Sequence, residues 1–163
     1  MNLRIKELID NSRLVGLDTD TAKQISLWEY KYPYDAYSFK GRENGYLWNK
    51  ETWGTEQFCL LCKEIITGQV ACQWEQGELW IGWSMAPAIC GQGCGTVFVR
   101  KCIGEIREHF NYQDKLLLRV AASNMRAVKA YQKAGFQYIK TVKDEIAYSD
   151  NIEDFWIMEL DSI

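Results

Sequence analysis

The sequence predicts a single α/β domain with one mixed, mostly antiparallel sheet flanked by helices, and three observations support this prediction. Strand-like runs come first along the chain, at residues 57–62, 68–74 and 78–85. A helix, a strand and a second helix follow between residues 96 and 134, an alternation typical of α/β sheets. The chain closes with two more strands, which we expect to pair antiparallel, at 136–142 and 154–160.

Composition and charge favour an ordinary cytoplasmic domain. The 163 residues suffice for one domain with a substantial core, and no repeat or linker divides them. The net charge of -3 and the pI near 5.3 argue against nucleic acid as the main partner. No apolar run reaches the ~20 residues of a membrane helix, and the first residues are too charged for a secretion signal. The six cysteines are therefore expected to be reduced thiols.

The first 56 residues carry weaker signals. The opening dozen are compatible with a strand or a short helix, and Asp18 or Thr19 can cap a helix that runs through Trp28. Nine of the 22 aromatic residues then lie in a segment that we call the aromatic block, residues 28–53. Because Pro33 and two glycines interrupt it, the block is predicted to be a loop or a broken helix.

Turns and periodicity define the elements after residue 56. Residues 75–77, Glu-Gln-Gly, are predicted to form a hairpin turn between the second and third strands. Apolar residues recur every three or four positions in residues 96–110, which predicts a helix with its charged side chains, Arg107 among them, mostly on the other faces. Residues 115–122 are apolar enough for a central strand, and a last helix is predicted at 124–134 with a glycine C-cap.

The segment Cys-Gly-Gln-Gly-Cys-Gly, residues 90–95, joins a strand to the start of a helix. The first N–H groups of a helix lack internal partners and favour negative charge, and glycines let the backbone approach an anion closely. The loop therefore suggests a cradle for a pyrophosphate, with a simple flexible turn as the alternative. It fails the dinucleotide fingerprint, because Thr96 stands where the third glycine is needed, and it lacks the Lys-Ser/Thr ending of a P-loop.

Two motifs together resemble the GNAT superfamily of N-acetyltransferases. The first is the acetyl-CoA motif Arg/Gln-x-x-Gly-x-Gly/Ala, matched here from Cys90 to Gly95. The second is Asn-x-x-Ala-x-x-x-Tyr-x-x-x-Gly-Phe, which begins at Asn124, reaches its tyrosine at Tyr131 and ends at Phe136. The resemblance covers residues 57–160 with the order of elements included, and residues 1–56 carry much less of it.

This resemblance implies a splayed strand pair in the sheet, with the pantetheine arm of acetyl-CoA entering the gap and no metal required. It also implies an acetyl-CoA-binding core at 78–136 and an acceptor side formed by 1–56, both within a single acetyltransferase domain, 1–163. Cys90 departs from the motif, since its side chain replaces the usual Arg or Gln. The cofactor-binding residues implied are Trp83, Ser84, Met85, Cys90, Gly91, Gly93, Cys94, Gly95, Thr96, Asn124 and Tyr131.

The resemblance implies that a primary amine, carried by a small molecule or a protein, attacks the acetyl thioester directly. Such a transfer needs a neutral amine, a stabilised oxyanion and a proton for the departing thiolate. By resemblance Tyr131 is the general acid, and its ordinary pKa of ~10 keeps it protonated at neutral pH. Asn124 is expected to hydrogen-bond the pantetheine arm, to cap its helix, or both.

The sequence does not identify a general base. The candidates are four carboxylates, in the hairpin and the aromatic block, and the single histidine. Each carboxylate can instead be an ordinary solvated group, and the histidine can be a cation at a helix end. A chain of water molecules is a further alternative. The candidates are Glu29, Asp35, Glu75, Glu78 and His109.

Metal chemistry is not expected from the cysteines. Cys59 and Cys62 have the spacing of a metal knuckle, but no second pair follows, and residues three apart on a strand point to opposite faces. Cys90 and Cys94 lack partners as well.

The aromatic block, and in particular Tyr-Pro-Tyr-Asp-Ala-Tyr-Ser-Phe at 32–39, is expected either to wall a pocket for an apolar or cationic amine or to close the core or a homodimer surface. Two rival functions remain open for the whole chain. One is a non-catalytic domain that binds or senses acyl-CoA, and the other is a nucleotide-binding module.

Overall fold

A computed structural model gives the fold, and it describes residues 1–41, 47, 50, 54–146 and 151–163. Part of the aromatic block therefore lies outside the described residues. Within these residues there are four α-helices: α1 (Leu3–Asp10), α2 (Thr19–Ser26), α3 (Gly95–Phe110) and α4 (Met125–Ala134). The same described residues form seven strands: β1 (Arg13–Gly16), β2 (Glu56–Cys62), β3 (Ile65–Glu75), β4 (Glu78–Met85), β5 (Leu116–Ala121), β6 (Gln137–Glu145) and β7 (Ile152–Leu160).

The strands form one sheet in the order β1-β2-β3-β4-β5-β7-β6. Every neighbouring pair is antiparallel except β4 and β5, so the predicted mixed, mostly antiparallel sheet is confirmed. The parallel pairing is short, because it joins only Leu79–Ile81 to Leu116–Leu118. Beyond it β4 continues to Met85 and β5 to Ala121 without pairing to each other. The two strands thus splay apart, as the resemblance implied.

Successive side chains of β2 point to opposite faces of the sheet and join two different core clusters. Phe58 and Leu60 belong to the main core, where Ile9 of α1 and Val99 of α3 also lie. Cys59 points the other way, into a second cluster with Ala22 and Ile25 of α2. The sheet is therefore covered by α1, α3 and α4 on one face and by α2 on the other, and the main core lies directly beneath the splay.

The helix ends follow the sequence closely. Asp18 caps α2 by accepting a hydrogen bond from the Thr21 N–H at 2.7 Å, and Asn124 is the N-cap of α4. Gly135 ends α4 with a φ of 108°, in the left-handed region where glycine is favoured. The turn predicted at residues 75–77 is present, and Gln76 and Gly77 both have positive φ there.

Three expectations need correction or completion. The opening residues form the helix α1, and the strand β1 that follows was not predicted because its four residues are mostly exposed at the sheet edge. The helix α2 ends at Ser26 rather than Trp28. Arg107 is buried rather than on an outer face, because its guanidinium donates hydrogen bonds to the carbonyls of Asp114 and Asp161 at 2.7 and 3.2 Å.

Among the described residues, no helix is both long and apolar enough to cross a membrane.

Candidate active site

A cavity of about 340 Å³ lies where β4 and β5 separate. Its walls come from the end of β4, the glycine-rich loop, the first turns of α3 and α4, the end of β5 and the first part of the aromatic block. The lining residues are Tyr30, Tyr34, Tyr37, Trp83, Ser84, Met85, Cys90, Gly91, Gly93, Cys94, Gly95, Phe98, Val99, Arg119, Val120, Ala121, Asn124, Arg126, Ala127, Ala130, Tyr131 and Phe155.

The glycine-rich loop delivers the N-terminus of α3 to this cavity. Gly91 and Gly93 have φ values of 72° and 76°, a conformation that other residues adopt only with strain. The helix begins at Gly95, and its N-cap residue, Cys94, makes no side-chain capping bond. The thiol of Cys94 instead donates to the Asn2 carbonyl at 3.5 Å. The first amides of a 16-residue helix are therefore left without a side-chain partner, next to a cavity.

The side chain of Cys90 is turned toward the protein backbone. Its thiol donates weakly to the carbonyls of Met85 and Ala86, at 3.7 and 3.5 Å. Burial raises the pKa of this thiol, and the nearby charge of Arg126 opposes the rise. Cys90 is therefore a neutral thiol near neutral pH and offers no charge to an anion.

Trp83 and Tyr131 both line the cavity and contact each other edge-on, with ring centroids 5.7 Å apart and planes inclined at 68°. Both rings also contact Phe136 edge-on or tilted. Burial raises the pKa of Tyr131 well above its ordinary value, while interaction with the Trp83 indole works in the opposite direction. Tyr131 therefore keeps its proton at neutral pH and can donate it.

The Nε1–H of Trp83 is a buried donor for which no described residue provides a hydrogen bond of normal geometry. Buried N–H groups are nearly always satisfied, and leaving one unpaired costs about 1–3 kcal/mol. The neighbouring Tyr131 hydroxyl interacts with this side chain, which lowers the Tyr131 pKa against the effect of burial.

Tyr30, Tyr34 and Tyr37 form a bridge of three tyrosines over the splay. The Tyr30 hydroxyl donates to the Met85 carbonyl at the end of β4, at 2.7 Å. On the other side, the Tyr37 hydroxyl lies 3.3 Å from the Ser123 Oγ, just before α4. Tyr30 is 9% exposed, and burial raises its pKa. The aromatic block thus reaches from one splayed strand to the helix that follows the other.

The aromatic block serves two purposes among its described residues. Tyr34 and Tyr37 line the cavity, as the pocket-wall interpretation expected. Trp28 and Phe39 instead pack edge-on, with centroids 6.2 Å apart, against the core cluster formed with α2. Tyr32 is 88% exposed and belongs to neither group.

None of the five candidate bases lines the cavity. Glu75 and Glu78 lie at the opposite end of β4, where Glu78 is paired with Lys115 at 2.7 Å. Glu29 pairs with Lys40 at 3.0 Å. Asp35 is exposed, at the start of a short 3-10 helix.

His109 lies near the C-terminal end of α3, far from the N-terminal loop, and packs edge-on against Phe58 with centroids 4.9 Å apart. Among its described lining residues the cavity has no carboxylate and no imidazole.

The six cysteines are free thiols. Cys59 is buried and Cys62 is half-buried, on β2. Within the part of the chain that the structure describes, no three His, Cys, Asp or Glu side chains are grouped so as to hold a metal ion.

The structure brings together ten of the eleven residues predicted to bind the cofactor, and all ten line the cavity. Thr96 does not line it, although it lies in the first turn of α3. Sequence reasoning missed Tyr30, Arg119 and Arg126. Arg126 follows Asn124 by two residues in a motif already recognised, so its position was a usable signal. Arg119 and Tyr30 offered none, since only the pairing of distant elements places them in the cavity.

A model of the acetyltransferase (GNAT) family matches residues 22–136 of this chain. No curated protein matches the sequence.

Solved structures of similar fold cover nearly the whole chain. A spermidine N-acetyltransferase from Vibrio cholerae in complex with CoA and spermine is 19% identical, with 94% of this chain and 96% of that chain covered and a TM-score of 0.64. AAC(6')-Ib in complex with ribostamycin and coenzyme A is 15% identical, with 93% and 94% covered and a TM-score of 0.70. The ribosomal-protein-S18-alanine N-acetyltransferase from Escherichia coli is 21% identical, with 93% and 94% covered and a TM-score of 0.60.

Proposed function

The chain belongs to the acetyltransferase (GNAT) family, and we propose that it transfers an acetyl group from acetyl-CoA to a primary amine of a small molecule or a protein, within the cavity between β4 and β5. As a member of that family it is an acyl-CoA-dependent N-acyltransferase. The related folds include enzymes named for spermidine and for a ribosomal-protein alanine, and one solved with an aminoglycoside, so amines of very different size are compatible with this architecture.

One observation supports this proposal most directly: the uncapped N-terminus of α3 opens into the cavity at the strand splay. Helix N-terminal amides and the positive end of the helix dipole stabilise a pyrophosphate without any lysine or arginine. Gly91 leaves the approach to those amides open on its side, since even an added Cβ there would meet no atom within 4 Å. The backbone of this loop would therefore hold the cofactor, even though Cys90 contributes no charge.

Acetyl-CoA would supply the activated acetyl group as a thioester, and the residues of the chain would position it. The β5-facing edge of β4 beyond Ile81 has no strand partner among the described residues, so the backbone from Trp83 to Met85 can bind the pantetheine arm. Asn124 uses its Oδ1 to cap α4, at 3.3 Å from the Ala127 N–H, and keeps its amide donors for the same arm.

Tyr131 would donate the proton that the departing thiolate needs. Its burial at the splay favours the neutral, proton-bearing form. With no carboxylate or imidazole among the described lining residues, the amine would reach the thioester already neutral or lose its proton to water. Rate enhancement would then come chiefly from holding the two reactants together.

Release of free thiol from acetyl-CoA in the presence of a panel of primary amines tests this function. We expect amine-dependent thiol release, with the acetylated amine detected by mass spectrometry. If the protein binds CoA but releases no thiol with any amine, the alternative applies, namely a non-catalytic domain that binds or senses acyl-CoA. The neutral thiol at Cys90 and the absence of a base among the described lining residues favour that alternative.

We also propose that the enzyme acts in the cytoplasm, because all six of its cysteines are free thiols. A homodimer formed through the aromatic block is a further proposal, and light scattering of the purified protein tests it by giving one or two chain masses.

A further inference from the structure

Among the described residues, the charged side chains that line the cavity are all cationic. Arg119 and Arg126 lie in its walls, and no aspartate, glutamate, lysine or histidine is found among the described lining residues. A pocket that selects polycationic amines needs carboxylates to pair with them, since like charges repel in a site shielded from water. The charged side chains in the described walls of this cavity are positive instead.

Arg119 is neutralised within the protein. Its guanidinium forms an ion pair with Asp144 of β6 and lies 5.6 Å from the centre of the Phe155 ring. Its charge is therefore already compensated.

Arg126 forms no hydrogen bond or ion pair with any described residue. Arg126 lies in the first turn of α4, and its guanidinium carbon lies 3.8 Å from the centre of the Tyr34 ring. A stacked guanidinium keeps its hydrogen-bonding edges free, and their fork matches a carboxylate. Glu153 is near this end of the cavity, but it accepts a hydrogen bond from Ser123 at 2.7 Å and does not line the cavity.

The side chain of Arg126 is exposed to solvent, and its charge also reaches groups in the cavity walls. Burial raises the pKa of both Cys90 and Tyr30, and Arg126 opposes the rise at each of them. Cys90 lies on the glycine-rich loop and Tyr30 on the aromatic block, and both line the cavity.

We propose that the acceptor is an amine that also carries a carboxylate, and that the guanidinium of Arg126, held by Tyr34, binds this carboxylate. The inference rests on the proposed function and narrows its substrate class. The same guanidinium could meet an oxyanion from another source, a phosphate of the cofactor, and the experiment separates the two.

The test compares matched acceptors. Thiol release from acetyl-CoA is measured with a set of L-amino acids, with the carboxamide of each, and with spermidine, for the wild type, for Arg126→Gln and for Lys129→Gln. Lys129 lies on the same helix, is exposed and does not line the cavity, so its variant is the control. CoA affinity of each variant is measured by calorimetry.

For the wild type we expect kcat/KM of the preferred amino acid to exceed that of its carboxamide by about 10- to 100-fold, the value of one charge-assisted hydrogen-bonded contact. Arg126→Gln should bring this ratio close to one with CoA affinity unchanged, and Lys129→Gln should keep the ratio.

Equal rates for acid and amide, or a preference for spermidine, would overturn the inference while leaving the acetyltransferase function intact. Weaker CoA binding by Arg126→Gln with an unchanged ratio would assign the guanidinium to the cofactor phosphates and also overturn it. If no amine releases thiol at all, the proposed function itself fails.

Discussion

The indole of Trp83 and the phenol of Tyr131 meet edge-on at the base of the splay, with ring centroids 5.7 Å apart. One ring comes from β4 and the other from α4, so the contact joins the two halves of the fold that separate at this point. It places a proton donor, Tyr131, beside the buried Nε1–H of Trp83, for which the described residues provide no hydrogen bond of normal geometry. The chemistry proposed here depends on that pair.

Replacing Tyr131 with phenylalanine should lower kcat by about 10²- to 10⁴-fold, the usual contribution of a general acid, and should leave CoA affinity nearly unchanged. The ring and its contacts with Trp83 and Phe136 are retained in the variant, so the fold should be unaffected. Tyr138→Phe is the matched control, because Tyr138 lies on β6 at 49% exposure and outside the cavity. Steady-state kinetics and calorimetry measure the two effects, and an unchanged kcat would remove Tyr131 from the mechanism.

The pH dependence should reflect the acceptor rather than an enzyme base. Since no carboxylate or imidazole is described in the cavity walls, kcat/KM should rise with pH up to the pKa of the acceptor amine itself. Burial raises the pKa of Tyr131, so the proton donor should not be lost on the alkaline side as pH passes the ordinary tyrosine pKa of ~10. Two acceptors whose amine pKa values differ should therefore give pH profiles displaced from each other by that difference in pKa. A common inflection near pH 6–7 for all acceptors would reveal a base that this account lacks.

The same raised pKa has a consequence for stability. The folded state binds the Tyr131 and Tyr30 protons more tightly than the unfolded chain does. Their contribution to the free energy of unfolding is therefore complete below pH ~10 and is lost progressively as pH rises above that value. In urea titrations, the midpoint of unfolding should be lower above pH ~10 than at pH ~8. The decrease should be smaller in the double variant Tyr30→Phe/Tyr131→Phe.

Cys90→Ala should change the dissociation constant for CoA by less than about twofold, since the thiol points to the carbonyls of Met85 and Ala86 and carries no charge. Calorimetry on the purified variant gives this value. A loss of affinity of tenfold or more would mean that the thiol itself contacts the cofactor.

Two glycine substitutions should act in opposite directions. Gly104→Ala places a methyl group in open space on the exposed side of α3 and should stabilise the protein by up to about 1 kcal/mol without affecting activity. Gly93→Ala forces alanine into a φ of +76° with its Cβ 3.1 Å from the Met1 Cα, and should cost about 1–2 kcal/mol or more. It should also weaken CoA binding, because it distorts the loop. Thermal unfolding and calorimetry measure both effects, and equal Tm values for the two variants would refute this reading of the loop.

Local chemistry accounts for what the sequence made predictable. The caps at Asp18 and Asn124, the turn at Gln76 and the glycines of the loop are set by neighbours in the chain, and all lie where expected. The cofactor side was accessible for the same reason, since it comes from one strand–loop–helix unit and one helix.

The acceptor side was not predictable to the same extent. Its groups are brought in by contacts between residues far apart in the chain, such as Tyr30 with Met85 and Tyr34 with Arg126. No local pattern of polarity reports such pairings. Arg107 is a similar case, because its burial depends on carbonyls from the chain's last residues as well as from its own turn.

A calorimetric titration of the protein with CoA tests the central claim most directly, because every role assigned above requires the cofactor to occupy the splay. The account predicts saturable binding of one CoA per chain, weakened in Gly93→Ala and retained in Tyr131→Phe. Absence of binding to CoA, or stronger binding to NAD or ATP in the same titration, would contradict it.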